Sequence, residues 1–439
     1  MSKFALLFLF LFVGGIFAAV FITPVASFLV YQLVYFVNPD IRWWAATIPG
    51  IQYSFVAAIL MLFILAIKYK ELSFQAPWKQ QPALKWLLAF LVMYIFMINF
   101  AVVPSAHKTF TFDFAKLIVI IFVAYKLINS EKALDACLWA YVLGATYIGY
   151  LAYAVGRDWQ GRVEGIGMVD TGGDSNMTAA AIAPALVMLM YFAWLGNKKT
   201  KVFAVFCGAF IANGIVLINS RGSFLAIVVG ASFFLFFMVF SKYQRAGQRG
   251  TAMLLIMIAL AGVVYIADDA FWTRMGTLTD VEDGSASGSH RIEFWLATFE
   301  VLKDHPLGVG ILGFIELSPN YLPDHYFDNR TTGKAVHSTW FQVLGEVGWV
   351  GILVFFCLII STFKTSKKTK KKLIELKLYD CYFKVIALEG ALISYLVAAS
   401  FINRSRAEIL YWLILFILVA FNIYVLKNVD TKPGIVRAK

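Results

Sequence analysis

Long apolar runs separated by short polar breaks dominate the chain. Runs of about 17 to 25 residues match the roughly 30 Å hydrocarbon core crossed by an α-helix, whereas barrel strands would be about 10 residues long and alternating. The pattern predicts twelve spans, at 4–22, 51–67, 86–103, 114–129, 133–155, 177–195, 201–218, 223–240, 252–267, 338–363, 383–402 and 407–426. Residues 25–37 are apolar but short, and Asn38-Pro39 stops them, so a half-helix or interfacial piece is expected there. The expected fold is all-α: a polytopic integral membrane helical bundle of about twelve transmembrane helices, forming one domain over residues 1–439. Between the ninth and tenth spans a polar island, Asp268 to Val336, predicts a large, partly helical loop, and a second, basic loop is expected at 364–382.

Composition agrees with this class: 61% of residues are hydrophobic and only 15% charged, with a mean hydropathy of +0.76. The run after Met1-Ser2-Lys3 lacks a small-residue cleavage site and is followed by more apolar sequence, so it reads as the first span. Cys137, Cys207, Cys357 and Cys381 lie in or beside apolar segments without CxxC spacing and read as small core residues. A net charge of +12 could indicate nucleic acid, but Lys367, Lys368, Lys370, Lys371 and Lys372 form one run between two spans, where positive charge fixes orientation. No nucleic-acid partner is expected.

The lysine-bearing connections around Lys68 to Lys85, Lys198 to Lys201, Lys242 to Arg249 and Lys364 to Lys377 fall on one side, which is cytoplasmic by the positive-inside rule. Both termini are expected on that side. The opposite side receives the 156–176 connection, the Ser220-Arg221-Gly222 turn, the polar island and Asn403-Arg404-Ser405-Arg406. Nine of twelve arginines (Arg42, Arg157, Arg162, Arg221, Arg274, Arg291, Arg330, Arg404 and Arg406) lie on that outer side, against only Lys108, Lys303 and Lys334 among the lysines. The orientation rule treats the two cations alike and does not account for this excess. A planar fork that grips phosphate at two points does; pairing with loop carboxylates such as Asp158, Glu164, Asp268 and Asp269 is the alternative.

Three constellations carry candidate chemistry. In Asn219-Ser220-Arg221-Gly222-Ser223 a short turn holds Arg221 at the membrane surface beside a helix N-terminus, a suitable place for a pyrophosphate; an arginine that merely snorkels is the alternative. In Ser289 to Trp295, helical spacing of Ile292, Trp295, Leu296, Phe299 and Leu302 predicts an amphipathic helix across the outer face, starting beside His290 and Arg291. It should end at Asp304-His305-Pro306-Leu307-Gly308-Val309-Gly310, where Gly308 and Gly310 permit close backbone approach to a ligand. In Ala335 to Glu346, His337 stands at the entry to the tenth span, where the helix dipole disfavours imidazolium and favours a neutral ring able to take a proton. A histidine that caps the helix or binds a headgroup is the alternative. His107, His290, His305 and His325 lack paired spacing, and no aspartate-rich motif accompanies them, so no catalytic metal is expected. Glu346 reads either as interface structure or as a partner of an arginine.

Together these residues resemble the O-antigen ligase and polymerase superfamily, multispanning inner-membrane enzymes that move glycans from undecaprenyl diphosphate on the periplasmic side. The resemblance runs from about residue 157 onward and rests on the Ser220-Arg221-Gly222 turn, Arg291 with Trp295, the Pro306, Gly308, Gly310 pattern, and His337 to Gly348 leading into a span. Gly161 to Gly165 and Asp174-Ser175-Asn176 resemble the family's outer connection, and Thr23-Pro24 to Pro39 with Trp43-Trp44 is similar to the exosortase-associated ligase branch.

The resemblance implies that His337 is the essential histidine and that Arg221 and Arg291 engage the lipid-linked diphosphate. The expected activity is metal-independent, inverting transfer of a glycan from undecaprenyl diphosphate to an acceptor hydroxyl of a glycolipid, glycan or protein, without a cofactor. Arg162 and Arg404 are expected to assist on the diphosphate, and Ser220, Gly222, Trp295, Gly308 and Gly310 to line the substrate. A polymerase that joins lipid-linked repeats is the closest alternative. A lipid-linked glycan transporter or flippase is the alternative from another class; it would carry ionisable residues through the bilayer depth, which this chain nearly lacks.

Overall fold

The computed structural model describes residues 1–159, 161–276, 289–327 and 333–427. Its helices are α1 (Lys3–Phe21), α2 (Val25–Val37), α3 (Tyr53–Ile67), α4 (Tyr69–Gln75), α5 (Pro82–Phe96), α6 (Pro104–Leu127), α7 (Glu131–Val155), α8 (Ser175–Leu195), α9 (Lys198–Ile218), α10 (Arg221–Phe240), α11 (Gln248–Ile266), α12 (Asp269–Gly276), α13 (Ser289–Asp304), α14 (Gly313–Leu317), α15 (Thr339–Glu375), α16 (Tyr379–Ala399) and α17 (Glu408–Phe421). Among the described residues no strand occurs, and ten helices are long and apolar enough to cross a membrane. The chain is a multi-pass helical membrane protein. α16 and α17 are its most enclosed helices, with α8, α10 and α15 packed around α16.

Start signals set the helix boundaries. Ser130 and Asp174 accept hydrogen bonds from Ala133 and Met177 backbone N–H groups, capping α7 and α8, and Pro82 and Pro104 open α5 and α6, where a missing N–H costs nothing. α6 begins ten residues before the expected span because its first turns are polar.

Residues 25–37, expected as a half-helix or interfacial piece, form the short helix α2. α2 packs on α1 and α7 as a largely buried helix; beside the ten long helices among the described residues, α2 and α3 are shorter apolar helices and α6 is a long, more polar one, in keeping with about twelve spans. At 13 residues α2 is short for a bilayer, but it ends inside protein rather than at headgroups. Gln32 Nε2 donates to the Cys137 carbonyl at 3.2 Å. Past its left-handed Asn38 cap, Arg42 donates to the Val37, Ile166 and Gly167 carbonyls. Phe4 lies 6.2 Å from Tyr150, near the end of α7, and Phe8 lies 5.1 Å from Tyr53, which opens α3. At the other end of the chain, Lys427 Nζ donates to Gln75 at 3.2 Å, on the lysine-rich face. Ser2 therefore lies near the start of α3 and the end of α7, and Lys427 beside Gln75 and Asn129.

α15 departs from expectation twice. Its helix continues through Lys364 to Glu375, so most of the stretch expected as a basic loop is helical, with Thr362, Thr365 and Thr369 buried and most of the lysines outward. It is also broken near its start: Val347 (φ −130°) and Gly348 (φ 65°, ψ −168°) leave helical geometry, which frees the carbonyls of the preceding turn. The segment after α13 fills the break, as Val309 N donates to the Gly345 carbonyl at 2.8 Å and Gly310 N to the Glu346 carbonyl at 3.0 Å. Within the island, Phe294, Ala297, Val301, Val309, Phe314, Leu322 and Val336 make a small apolar core of their own above the bundle.

Candidate functional site

Three helices, α8, α10 and α15, begin at the same face, with Asp174, Ser220 and Ser338 as their first caps. Their small residues bring them together: Ala180, Ala226, Ala398 and Ile402 form one buried cluster from α8, α10 and the end of α16. Positive helix ends are thus gathered around the α16 to α17 connection.

His337 sits two residues before α15, in the left-handed region (φ 53°). That conformation costs a residue with a Cβ about 1 kcal/mol and persists only where neighbours fix it. They do so on both sides. Trp295 Nε1 donates to the Val336 carbonyl at 3.2 Å while its ring stacks on Phe341 at 5.2 Å. Ser338 N donates to Asn403 Oδ1 at 3.0 Å, Thr339 Oγ1 donates to the Ile402 carbonyl at 2.8 Å, and Arg404 N donates to Thr339 Oγ1 at 3.0 Å. Burial, then the Arg291 charge and that of Lys334, hold the His337 pKa below the ordinary histidine value, with Asp174 acting in the opposite direction. The ring is therefore neutral at neutral pH, with its lone pair available to a proton.

Arg291 belongs to α13 and places its guanidinium 5.9 Å from the centroid of the Phe401 ring. Gly222, next to Arg221, faces the same ring: a Cβ there would stand 3.1 Å from Phe401. Burial and then the Arg221 charge lower the Arg291 pKa, so two like charges lie close to one another beside His337. The structure thus brings together Arg221, Arg291 and His337 from three separated stretches of sequence. Ser220 Oγ donates to Ser223 Oγ at 3.1 Å inside the same turn, and Asn219 takes the left-handed conformation (φ 57°) that ends α9.

Four further outer arginines pair with carboxylates. Arg404 pairs with Asp170 at 2.6 Å, and Arg162 contacts Glu164 at 3.5 Å and Asn176 at 3.3 Å. Arg157 pairs with Asp268, and Arg406 with Glu346, which also accepts from Tyr94 at 2.7 Å. Burial works to lower the Arg404 pKa, and Asp170 with Tyr395 and Tyr35 outweighs it and raises it. Pairing with carboxylates, the alternative weighed for the arginine excess, therefore describes these four; Arg330 and the side chain of Arg274 lie outside the described residues. Glu346, with two readings open from sequence, is the partner of an arginine.

Gly308 and Gly310 do permit close approach, but the approaching group is protein. A Cβ on Gly308 would meet Gly348 N and the Glu346 carbonyl, and one on Gly310 would meet Ala101 and His107. His107 is a strut at this seam: Ile311 N donates to its Nδ1 at 2.9 Å, so Nε2 carries the hydrogen donated to the Tyr94 carbonyl at 2.8 Å. Trp295 likewise acts through the His337 backbone. Sequence reasoning did not single out Phe401, Asn403 or the charge of Asp174 as neighbours of the site. Asp174 had a signal, since an Asp before an apolar run marks a helix start; Phe401 and Asn403 sit in a connection whose packing no spacing encodes.

The architecture defines a multi-pass helical membrane protein in which two arginines and a histidine lie close together at one face. Residues 206–356 match the family model described as O-Antigen ligase, and the match supports membership of the O-antigen ligase superfamily, whose functions are of the ligase or polymerase type. The matched stretch contains Arg221, Arg291 and His337 and leaves out Arg162 and Arg404. No curated protein matches the chain.

Proposed function

We propose that the protein is an O-antigen ligase-like glycosyltransferase of the bacterial inner membrane, which moves a glycan from undecaprenyl diphosphate to an acceptor hydroxyl at the periplasmic face. The carrying observation is the pairing of like charges. Arg291 is held beside Arg221 at the N-terminal end of α10, next to a histidine whose pKa is lowered by burial and by Arg291 itself. A diphosphate relieves that repulsion and accepts from both forks and from helix N-termini, which supplies charge stabilisation where the leaving group forms.

In the reaction, the acceptor oxygen bonds to the anomeric carbon as the bond from that carbon to the diphosphate oxygen breaks. His337 takes the hydroxyl proton, and undecaprenyl diphosphate leaves with the bonding electron pair on Arg221 and Arg291. One direct displacement inverts the anomeric configuration. Arg162, through Asn176, and Arg404, through the turn that holds Ser338 and Thr339, support this arrangement. The glycosyl diphosphate supplies the driving force, and transfer is expected to persist in EDTA.

The test is incubation of purified protein with lipid-linked glycan and acceptor extracted from the same cells, with mass spectrometry of the products. His337→Ala is expected to abolish transfer while donor still binds. Transfer retained by that variant would remove His337 from the reaction, and products joined only to a second lipid-linked repeat would mark a polymerase.

A further inference from the structure

His290 and Glu293 of α13 form with Tyr326 a second polar cluster that the reaction above does not use. Tyr326 Oη donates to Glu293 Oε2 at 2.6 Å, and the same oxygen lies 2.7 Å from His290 Nδ1. A tyrosine has one hydroxyl hydrogen, and burial followed by Glu293 pushes its pKa up to about 12, so it stays protonated at neutral pH. With that hydrogen given to Glu293, the contact to His290 requires Nδ1–H as donor. In the neutral ring the unshared pair is then on Nε2.

The surroundings indicate what Nε2 meets. Tyr326 packs edge-on against His290 (5.1 Å, 85°) and against Phe294 (5.2 Å, 73°), and Phe294 lies 6.5 Å from the His337 ring. His325 packs on Tyr326 at 4.2 Å. The cluster is thus one aromatic ring away from the histidine that takes the proton. Glu293 gives it a negative charge, which repels a diphosphate, whereas a carboxylate, an imidazole and aromatic rings together suit a neutral group rich in hydroxyls.

We infer that His290, with Nδ1 held by Tyr326 and Glu293, is an acceptor-binding residue whose Nε2 receives a hydrogen bond from a hydroxyl of an incoming saccharide. Tyr326 and Glu293 are positioning residues that fix the ring and its tautomer. This rests on the glycosyl-transfer reading and gives that reaction a saccharide acceptor.

Tyr326→Phe tests it with little disturbance, because it keeps the ring contacts to His290, Phe294 and His325 and removes only Oη. With donor and saccharide acceptor from the same cells, the acceptor KM is expected to rise about tenfold, the loss of roughly one hydrogen bond, while the donor KM and the kcat at saturating acceptor stay within about twofold. His290→Ala should match it, and the double variant should be no worse than either, since both cut one chain of hydrogen bonds. Glu293→Gln, whose amide oxygen still accepts from Tyr326, should be milder. An unchanged acceptor KM in Tyr326→Phe, or a donor KM that rises in step with it, overturns the inference and leaves glycosyl transfer standing. Failure of the wild-type protein to transfer glycan at all brings down the function reading first, and this subsite with it.

Discussion

Gly308 and Gly348 meet backbone to backbone: a Cβ on Gly308 would stand 2.7 Å from Gly348 N, and one on Gly348 would stand 2.7 Å from the Leu307 carbonyl carbon. Both have positive φ, 98° and 65°. The contact lets Val309 and Gly310 serve the carbonyls freed by the break in α15, and so ties the island to the helix that His337 precedes. Gly308→Ala adds a clash with rigid backbone to a strained conformation, at a cost of about 2 kcal/mol or more. It should lower the unfolding temperature in detergent and reduce transfer together. A variant as stable and active as wild type would show that the seam tolerates separation.

Arg404 and Arg291 should fail in different ways. The Arg404 to Asp170 pair leaves 13% and 19% of the two side chains exposed, so removing one partner strands a charge that water hardly reaches. Arg404→Ala is expected to cost about 3 kcal/mol of stability, with the added Asp170→Asn substitution recovering part of it. Arg291→Ala instead removes one of two mutually repelling charges, so stability should hold or rise while transfer collapses. Thermal unfolding of the three variants beside donor turnover checks this; the reverse pattern would exchange the roles of the two arginines. Arg291→Lys should be nearly as damaging to transfer as Arg291→Ala, because an ammonium lacks the fork.

The helical class was legible in the chain, because bilayer thickness imposes a length on apolar runs, and His337, Arg221 and Arg291, which the fold gathers at one face, stand at polar breaks between those runs. What the chain did not reveal has a common cause. α2 is too short by the bilayer criterion, and its burial against α7, the Gln32 hydrogen bond and the Arg42 cap hold it within the bundle. Gly308 and Gly310 signalled close approach, but glycine does not say whether ligand or backbone approaches. Arg404 and Arg291 are alike in sequence context and differ only through Asp170, more than two hundred residues from Arg404.

The pH dependence follows from the neighbours of His337. Burial and Arg291 lower its pKa, so the reactive neutral form persists to pH values below the ordinary histidine range near 6.5, and transfer should fall only beneath it. The two charges act oppositely on the acid limb. Removing the positive charge in Arg291→Gln favours imidazolium and should move the limb upward, toward the ordinary value. Removing the negative charge in Asp174→Asn disfavours imidazolium and should move it further down. The position of the limb in log kcat against pH is the readout, since its height also reports donor binding. Limbs that stay in place in both variants would mean that the titrating group is not His337.

The packing of α2 on α1 makes the last prediction. If α1 and α2 form a full hairpin, Ser2 at the head of α1 is expected at the face of His337, whereas Lys427, beside Gln75 and Asn129, is expected at the lysine-rich face. A Ser2→Cys variant of protein otherwise free of cysteine should react with a membrane-impermeant maleimide on intact cells. A cysteine in place of Lys427 should react only after permeabilisation, because basic connections are retained on the cytoplasmic side. The expectation from apolar run length alone, in which residues 25–37 do not cross, puts both positions inside. Labelling of neither on intact cells would bear out that expectation and would require α2 to stop within the bundle, whereas labelling of Ser2→Cys alone establishes the hairpin.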